Sequence, residues 1–401
     1  MLYISVIVPF ILAIVLATYI IPRILVVSVK KDLVIPSETK DKGRLRVPRL
    51  GGVSLFPILV ISVGATIVSL LTFFPLSFLS TEDQTAFVQY MFGLAGLTTM
   101  YLLGVMDDLL GVSLTSKFLI QLLAASLIPM SGIWLDDLHG LLGIFELPAW
   151  IGMPLTVLMV LYITNAIPML DDVDGLASGL AMIAFTVLGG VAYLGGEPLM
   201  MIVCVAMTGM LMPFFYRNVM VRRIGWRNIY LGDTGGLTIG YLLSFVVIAL
   251  SRLGGFTLPD GVIMACFGTL IIPMFDVFRV AVTRIINHRN IFLRDNNHIH
   301  HRLIQGGMRP MMVLLTILLI TSFFVVFNII GVWSGWNLSL LLVGDVIVWI
   351  FIQVVISYFK NKNRDKISNG GSNRIFSISP VPVVGPVGIA LYPKGAHPES
   401  S

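Results

Sequence analysis

The chain has 401 residues, of which 57% are hydrophobic and only 12% charged. That balance excludes both an ordinary water-soluble globular domain and a disordered chain, and it marks an integral membrane protein. The formal net charge of +5 comes without a soluble basic domain, so it argues against nucleic acid and for membrane topology and anionic lipid contact.

A bilayer core takes about 20 apolar residues per helix. About eleven stretches satisfy this, near 2–22, 52–74, 86–106, 118–133, 149–167, 176–195, 198–216, 235–253, 260–281, 311–332 and 338–358. The expectation is an all-α, polytopic integral membrane protein with about 11 transmembrane helices. The first stretch has no basic leader and no small-residue cleavage site, so it reads as a helix rather than a signal peptide. Cys204 and Cys266 lie inside apolar stretches and read as small buried hydrophobes, with neither a disulfide nor a zinc spacing. From Lys360 the composition turns to Lys, Arg and Asn, then Ser, Gly and Pro. The chain therefore divides into a membrane domain, 1–359, and a flexible tail, 360–401.

With the N-terminus outside, every Lys and Arg except Arg252 falls on one side of the membrane. The excess of positive charge on inner loops makes that side cytoplasmic, together with the C-terminus. Asp107, Asp108, Asp171, Asp172, Asp174, Asp233, Asp276 and Asp295 share that face. Carboxylates at the ends of apolar segments are expensive unless something cationic meets them.

Four loops carry the chemistry. Gly104-Val-Met-Asp107-Asp108-Leu-Leu-Gly111, followed by Lys117, sets adjacent carboxylates between glycines, a donor set suited to Mg2+ with phosphate oxygens. Asn165 through Pro168, Asp171, Asp172, Asp174 and Gly175 packs three carboxylates into four residues, a repulsive density that a cation or protons would relieve. Tyr230-Leu-Gly232-Asp233-Thr-Gly-Gly236 is a glycine-rich turn opening a helix, where free N–H groups receive phosphate and Asp233 can hold a metal. Arg294, His298, His300, His301 and Arg302 form a cationic run able to bind a diphosphate, move a proton or hold a metal, although no Cys or Glu completes a zinc pattern. Before the second helix, Gly51-Gly52 permits close backbone approach.

Taken together, Pro48-x-x-Gly51-Gly52, Asp107-Asp108, Asn165 to Asp174-Gly175, Gly232-Asp233 and His298-x-His300-His301 resemble the polyprenyl-phosphate N-acetylhexosamine-1-phosphate transferase superfamily, glycosyltransferase family 4. The His-x-His-His form is most similar to the branch that starts O-antigen, enterobacterial common antigen and teichoic acid linkage units. Asp172 stands where that pattern has Gly, which makes it a neighbour of the site rather than a member.

The resemblance implies a Mg2+-dependent phosphoglycosyl transferase, with Mn2+ as a substitute, in the cytoplasmic (inner) membrane and with its active site facing the cytoplasm. It would pass N-acetylhexosamine 1-phosphate, from UDP-GlcNAc by expectation, to undecaprenyl or another polyprenyl phosphate and release UMP. Asp107, Asp108, Asp171, Asp174, His298, His300 and His301 are then catalytic. Asn165, Lys117, Gly51, Gly52, Arg294 and Arg302 bind substrate, and Asp233, Asp171 and Asp108 hold metal. Asp276 and Arg279 form a weaker pair at i and i+3. A homodimer is a further expectation from relatives. Rival readings are a sister transferase using another UDP-amino sugar or UDP-MurNAc-pentapeptide, a cation-coupled secondary transporter and a membrane scaffold. A transporter would want its charges near the bilayer midplane rather than at helix ends on one face.

Overall fold

The computed structural model describes residues 2–31, 34–36, 46–48, 50–73, 83–220, 229–253, 258–288 and 297–368. Arg294 and the tail beyond 368 lie outside them. In chain order, α1 (Leu2–Lys30) leads to β1 (Val34–Pro36) and β2 (Arg46–Pro48), which pair antiparallel. A 3₁₀ turn, Leu50–Ser54, opens α2 (Leu55–Phe73), and α3 (Asp83–Leu110) and α4 (Leu114–Met130) follow. The hairpin of β3 (Asp137–Leu141) and β4 (Ile144–Glu146) precedes α5 (Ala149–Ala166), a 3₁₀ turn at Pro168–Leu170, α6 (Leu176–Leu194) and α7 (Pro198–Met220). Last come α8 (Gly232–Ser251), α9 (Val262–Gly268), α10 (Ile271–Ile286), α11 (Ile299–Gln305), α12 (Pro310–Trp333) and α13 (Leu338–Ser368). The protein is an all-α polytopic membrane protein, and its two short antiparallel ribbons are a minor addition that the apolar periodicity did not signal.

Every one of the eleven apolar stretches holds helix, but not every stretch is one full span. Among the described residues nine helices are long and apolar enough to cross a membrane, and α9 with α10 forms a pair bent by 71°. α4, at 17 residues, is apolar but shorter than these nine. The bend has a covalent cause. Pro273 has no N–H to give the carbonyl four residues back, at Thr269, and its ring crowds that turn. α13 continues as helix past Lys360 to Ser368, beyond the change in composition.

The outer helices carry large exposed apolar side chains, such as Ile11 and Val15 on α1, Leu319 and Phe323 on α12, and Ile347 and Phe351 on α13. In water they would be sticky surface, whereas in a bilayer they are the lipid-facing surface. α8 is the opposite case, buried along its whole length except at Asp233 and Ala249. A helix apolar on all sides belongs at the centre of a bundle; α3, α5 and α6 pack against it, and α1 and α7, packed on each other and on α6, extend the main core. Small residues let the neighbours approach its N-terminal turn. A Cβ on Gly104 of α3 would lie 2.4 Å from the Cα of Thr234, and one on Gly52 would lie 2.2 Å from the backbone nitrogen of Gly235.

Two polar features mark depth. At the C-terminal end of α8, Arg252 donates from Nε and Nη2 to Asp136 at 3.1 and 2.9 Å and from Nη1 to the Gly132 carbonyl at 3.1 Å. Twenty residues of helix place that end about 30 Å from Asp233, the thickness of a hydrocarbon core. Within α13, Asp345 is fully buried and accepts from Asn328 Nδ2 at 3.1 Å on each oxygen. This acid lies inside a stretch that hydropathy alone treats as uniformly apolar, and its partner comes from α12.

Gly104→Val forces a β-carbon into the backbone of α8, where only backbone displacement can relieve the overlap. Overpacking of this kind costs about 1–3 kcal/mol. The purified variant therefore has a lower thermal unfolding midpoint in detergent, with the loss visible as earlier aggregation by size-exclusion chromatography after heating.

Candidate functional site

Asp107 and Asp108 close α3 and diverge from each other. Asp107 Oδ1 accepts the Val112 N–H at 2.8 Å, which folds the loop after the helix, and Oδ2 meets Lys117 Nζ at 2.7 Å. Asp108 turns into the protein. Its Oδ1 accepts the Asp233 N–H at 3.0 Å, and its Oδ2 accepts the Thr234 N–H at 2.9 Å and the Thr234 hydroxyl at 2.6 Å. The first N–H groups of a helix have no partner within it, and an anion there also meets the positive end of the helix dipole. Asp108 thus caps α8 from a different helix, and both of its oxygens are committed to that task.

Lys117, near the start of α4, bridges the two acidic elements. Its Nζ lies 2.7 Å from Asp107 and 3.0 Å from Asp233 Oδ1. Asn165 ends α5 in a reciprocal amide pair with Gln121 of α4, at 3.0 and 3.1 Å, while also donating to the Leu161 carbonyl at 2.8 Å. Gln121 had no motif to flag it; only its pairing across the helix interface places it beside the site. Gly51 and Gly52 are buried in the 3₁₀ turn, and a Cβ on Gly51 would lie 2.2 Å from the Tyr230 carbonyl. The close approach that these glycines permit is to the protein's own 229–235 segment, so they shape the site from behind.

Between α5 and α6 the three carboxylates separate by environment. Asp171 is 8% exposed, and its Oδ2 has no hydrogen-bond partner among the described residues. Burial, and then repulsion from Asp172 and Asp174 with a further contribution from Asp233, pushes its carboxyl well above the usual carboxylate range. Asp172 is more open. Partial burial would raise it, but the His300 and His301 rings outweigh this and hold its carboxyl below the usual range. Asp174 belongs to the same electrostatic group through its effect on Asp171.

The histidines are placed by α10 and α11. Asp276 is fully buried on α10 and accepts the Ile299 N–H at 3.0 Å on Oδ1, which also meets Arg279 at 2.8 Å. Its Oδ2 is 2.8 Å from His298 Nδ1. The pair noticed at i and i+3 is therefore the anchor of the histidine segment, with Arg279 also donating to the Asn297 carbonyl. His301 Nε2 lies 3.1 Å and His300 Nε2 3.5 Å from Asp172 Oδ2. Asp172, expected to be a bystander, is the acid that the histidines meet. Its replacement of Gly gave no hint of this, because the partners lie more than 125 residues away in sequence. Arg302 goes elsewhere, donating to Gln353 and Ser357 and so joining α11 to α13.

One end of the bundle therefore gathers Asp107, Lys117, Asp233, Asp171, Asp172 and the histidines, with Asp108 and Asp276 behind them. An unpaired, buried carboxylate oxygen among other carboxylates is a donor set that fits a hard divalent cation. The cationic Lys117 suits phosphate oxygens, whereas the α8 N–H groups expected to receive phosphate are taken at Asp233 and Thr234 by the Asp108 carboxylate.

Residues 90–251 match the model of a family described as Glycosyl transferase family 4. A Bacillus subtilis (strain 168) protein named "Probable undecaprenyl-phosphate N-acetylglucosaminyl 1-phosphate transferase" is 31% identical over 355 residues, 88% of this chain and 91% of its own length. A Yersinia pestis protein named "Undecaprenyl-phosphate alpha-N-acetylglucosaminyl 1-phosphate transferase" is 24% identical over 76% of this chain and 78% of its own. The protein of that name from Escherichia coli (strain K12) is 27% identical over 54% of this chain and 59% of its own. The family match takes in Asp107 to Asp233 and stops before the histidine segment.

A group whose folded pKa is raised contributes stability below its unfolded pKa and loses it as pH rises through the folded value. In divalent-free buffer Asp171→Asn therefore unfolds at a higher temperature than wild type, and the gap widens as pH rises from the ordinary carboxylate value near 3.8. Thermal scans at several pH values check the sign.

Proposed function

From a chain that belongs to glycosyl transferase family 4, we propose an enzyme that transfers N-acetylglucosamine 1-phosphate from UDP-GlcNAc to undecaprenyl phosphate. An oxygen of the lipid phosphate bonds to the sugar-bearing phosphorus. The bond from that phosphorus to the bridging oxygen breaks, and its electron pair leaves on UMP. The product is the lipid-diphosphate sugar on which a cell-envelope polysaccharide is begun. The observation that supports this best is the Asp107–Lys117–Asp233 bridge beside the unpaired Asp171 oxygen, because phosphoryl transfer asks a protein mainly for positioning and charge neutralisation.

In this proposal Asp171 and Asp233, with Asp174 nearby, hold Mg2+. The ion, when bound, neutralises charge building on the transferred phosphoryl group. Lys117 is kept extended by Asp107 and Asp233 and presents its ammonium to phosphate oxygens. Asp108 positions Asp233 through the α8 cap, and Asn165 with Gln121 shapes the nucleotide side. The histidine segment receives the diphosphate. The site faces the cytoplasm of an inner membrane in this proposal, supported by the concentration of Lys and Arg on one side of the chain. A site at helix ends lets the lipid phosphate arrive from the bilayer and the nucleotide from water.

The test is UMP release by the purified protein given undecaprenyl phosphate and a panel of UDP-sugars, with and without EDTA. UMP from UDP-GlcNAc only when Mg2+ is present is the expected result. No UMP with any donor sinks the proposal, and UMP from another donor alone changes the sugar. Asp233→Asn lowers kcat by about 100-fold or more, the loss typical for removing an electrostatic stabiliser of the transition state, while the protein still elutes as a folded species.

A further inference from the structure

Asp172, His300 and His301 each turn a ligating atom toward a common point. Those three atoms lie within 4.8 Å of one another. The two distances to Asp172 Oδ2 are 3.1 Å from His301 Nε2 and 3.5 Å from His300 Nε2. A tetrahedral zinc-type ion, with ligand bonds of about 2.0–2.2 Å, sets neighbouring ligand atoms roughly 3.3–3.5 Å apart. The 3.5 Å spacing from His300 is that of a coordination shell, and the 3.1 Å contact from His301 is a hydrogen bond that an ion would replace by moving the two atoms a few tenths of an ångström apart.

The second observation is His300 itself. Its side chain is fully buried, yet neither ring nitrogen makes a hydrogen bond among the described residues. A buried polar ring whose nitrogens make no hydrogen bond among the described residues, with Asp172 no nearer than 3.5 Å, is costly unless it has a ligand to meet. Its surroundings hold it in place: His298 stacks over it at 5.8 Å with the planes 2° apart, and Asp276 fixes His298. Asp172 is 53% exposed on its side chain, which leaves an open route for an ion to enter.

We propose that Asp172, His300 and His301 form a binding site for a borderline transition-metal ion of the Zn2+ or Co2+ kind, separate from the carboxylate set that suits Mg2+. Two imidazoles and one carboxylate select such an ion over a hard cation, which prefers six oxygen ligands. Three protein ligands leave the fourth position open to water or a phosphate oxygen. Metal capture here requires nothing of the transfer chemistry, so the site stands or falls on its own ligands.

The probe is Co2+ added alone to tag-free, metal-stripped protein in detergent, followed by visible absorption and by competition with a chromophoric chelator. Wild type takes up one tightly held Co2+ with the intense absorption of a four-coordinate site, Zn2+ displaces it, and excess Mg2+ does not. His301→Ala and Asp172→Ala alter partly exposed positions and keep the fold. Each weakens binding by about tenfold or more, since loss of even an outer-shell partner costs 10–100-fold. Asp233→Asn retains the signal, which separates this site from the Mg2+ ligands. Absence of the signal in wild type, its survival in both Ala variants, or its displacement by Mg2+ overturns the proposal.

Discussion

Asp108 accepts the first N–H groups of α8 from another helix, and the geometry of the site depends on that contact. A helix buried along its length cannot leave its leading N–H groups to solvent, so something polar must meet them within the protein. Because the cap comes from α3, it sets the register of α3 against α8. Asp233 sits on the capped turn, and its carboxylate reaches Lys117 from there. Gly104 and Gly52 express the same requirement in steric form, for any side chain at either position would push the partners apart.

Around that junction the charges form a chain rather than a cluster. Asp107, Lys117 and Asp233 alternate in sign, so each is satisfied by the next. Asp171 is different: it is buried, surrounded by like charge and left with an oxygen that has no hydrogen-bond partner among the described residues. Stability alone would favour a neutral residue there, and sites built for an incoming cation or substrate commonly keep such a conflict. The histidine segment is brought to this end by Asp276, a fully buried acid on the bent α9–α10 pair. A break in a membrane helix thus delivers chemistry that no neighbouring loop contains.

Most of the fold was legible because hydropathy is a local property. Eleven apolar stretches became helices where the sequence placed them, and the motif loops fell at helix ends. Hydropathy could not show that α4 is short of a full span or that Pro273 breaks the helix before it. Nor could it find Asp345, whose neighbours along the chain are apolar and whose partner, Asn328, lies on another helix. The site divides in the same way. Asp107, Asp171 and Asp233 were visible as carboxylates stranded beside apolar segments, whereas Gln121 and Asp172 acquired meaning only from their partners.

By itself the sequence determined that this chain crosses a membrane many times and which acids and histidines stand at its helix ends, because apolar length and residue type require no long-range information. Tertiary structure alone decided how those residues divide the work. Adjacent Asp107 and Asp108 look equivalent in sequence, yet one pairs with a lysine and the other caps a helix 125 residues away. Asp172 looked incidental and meets two histidines, while Arg302 looked functional and ties α11 to α13. Hydrogen bonds and ion pairs act over about 3 Å, so a side chain's role is set by what the fold brings within that distance.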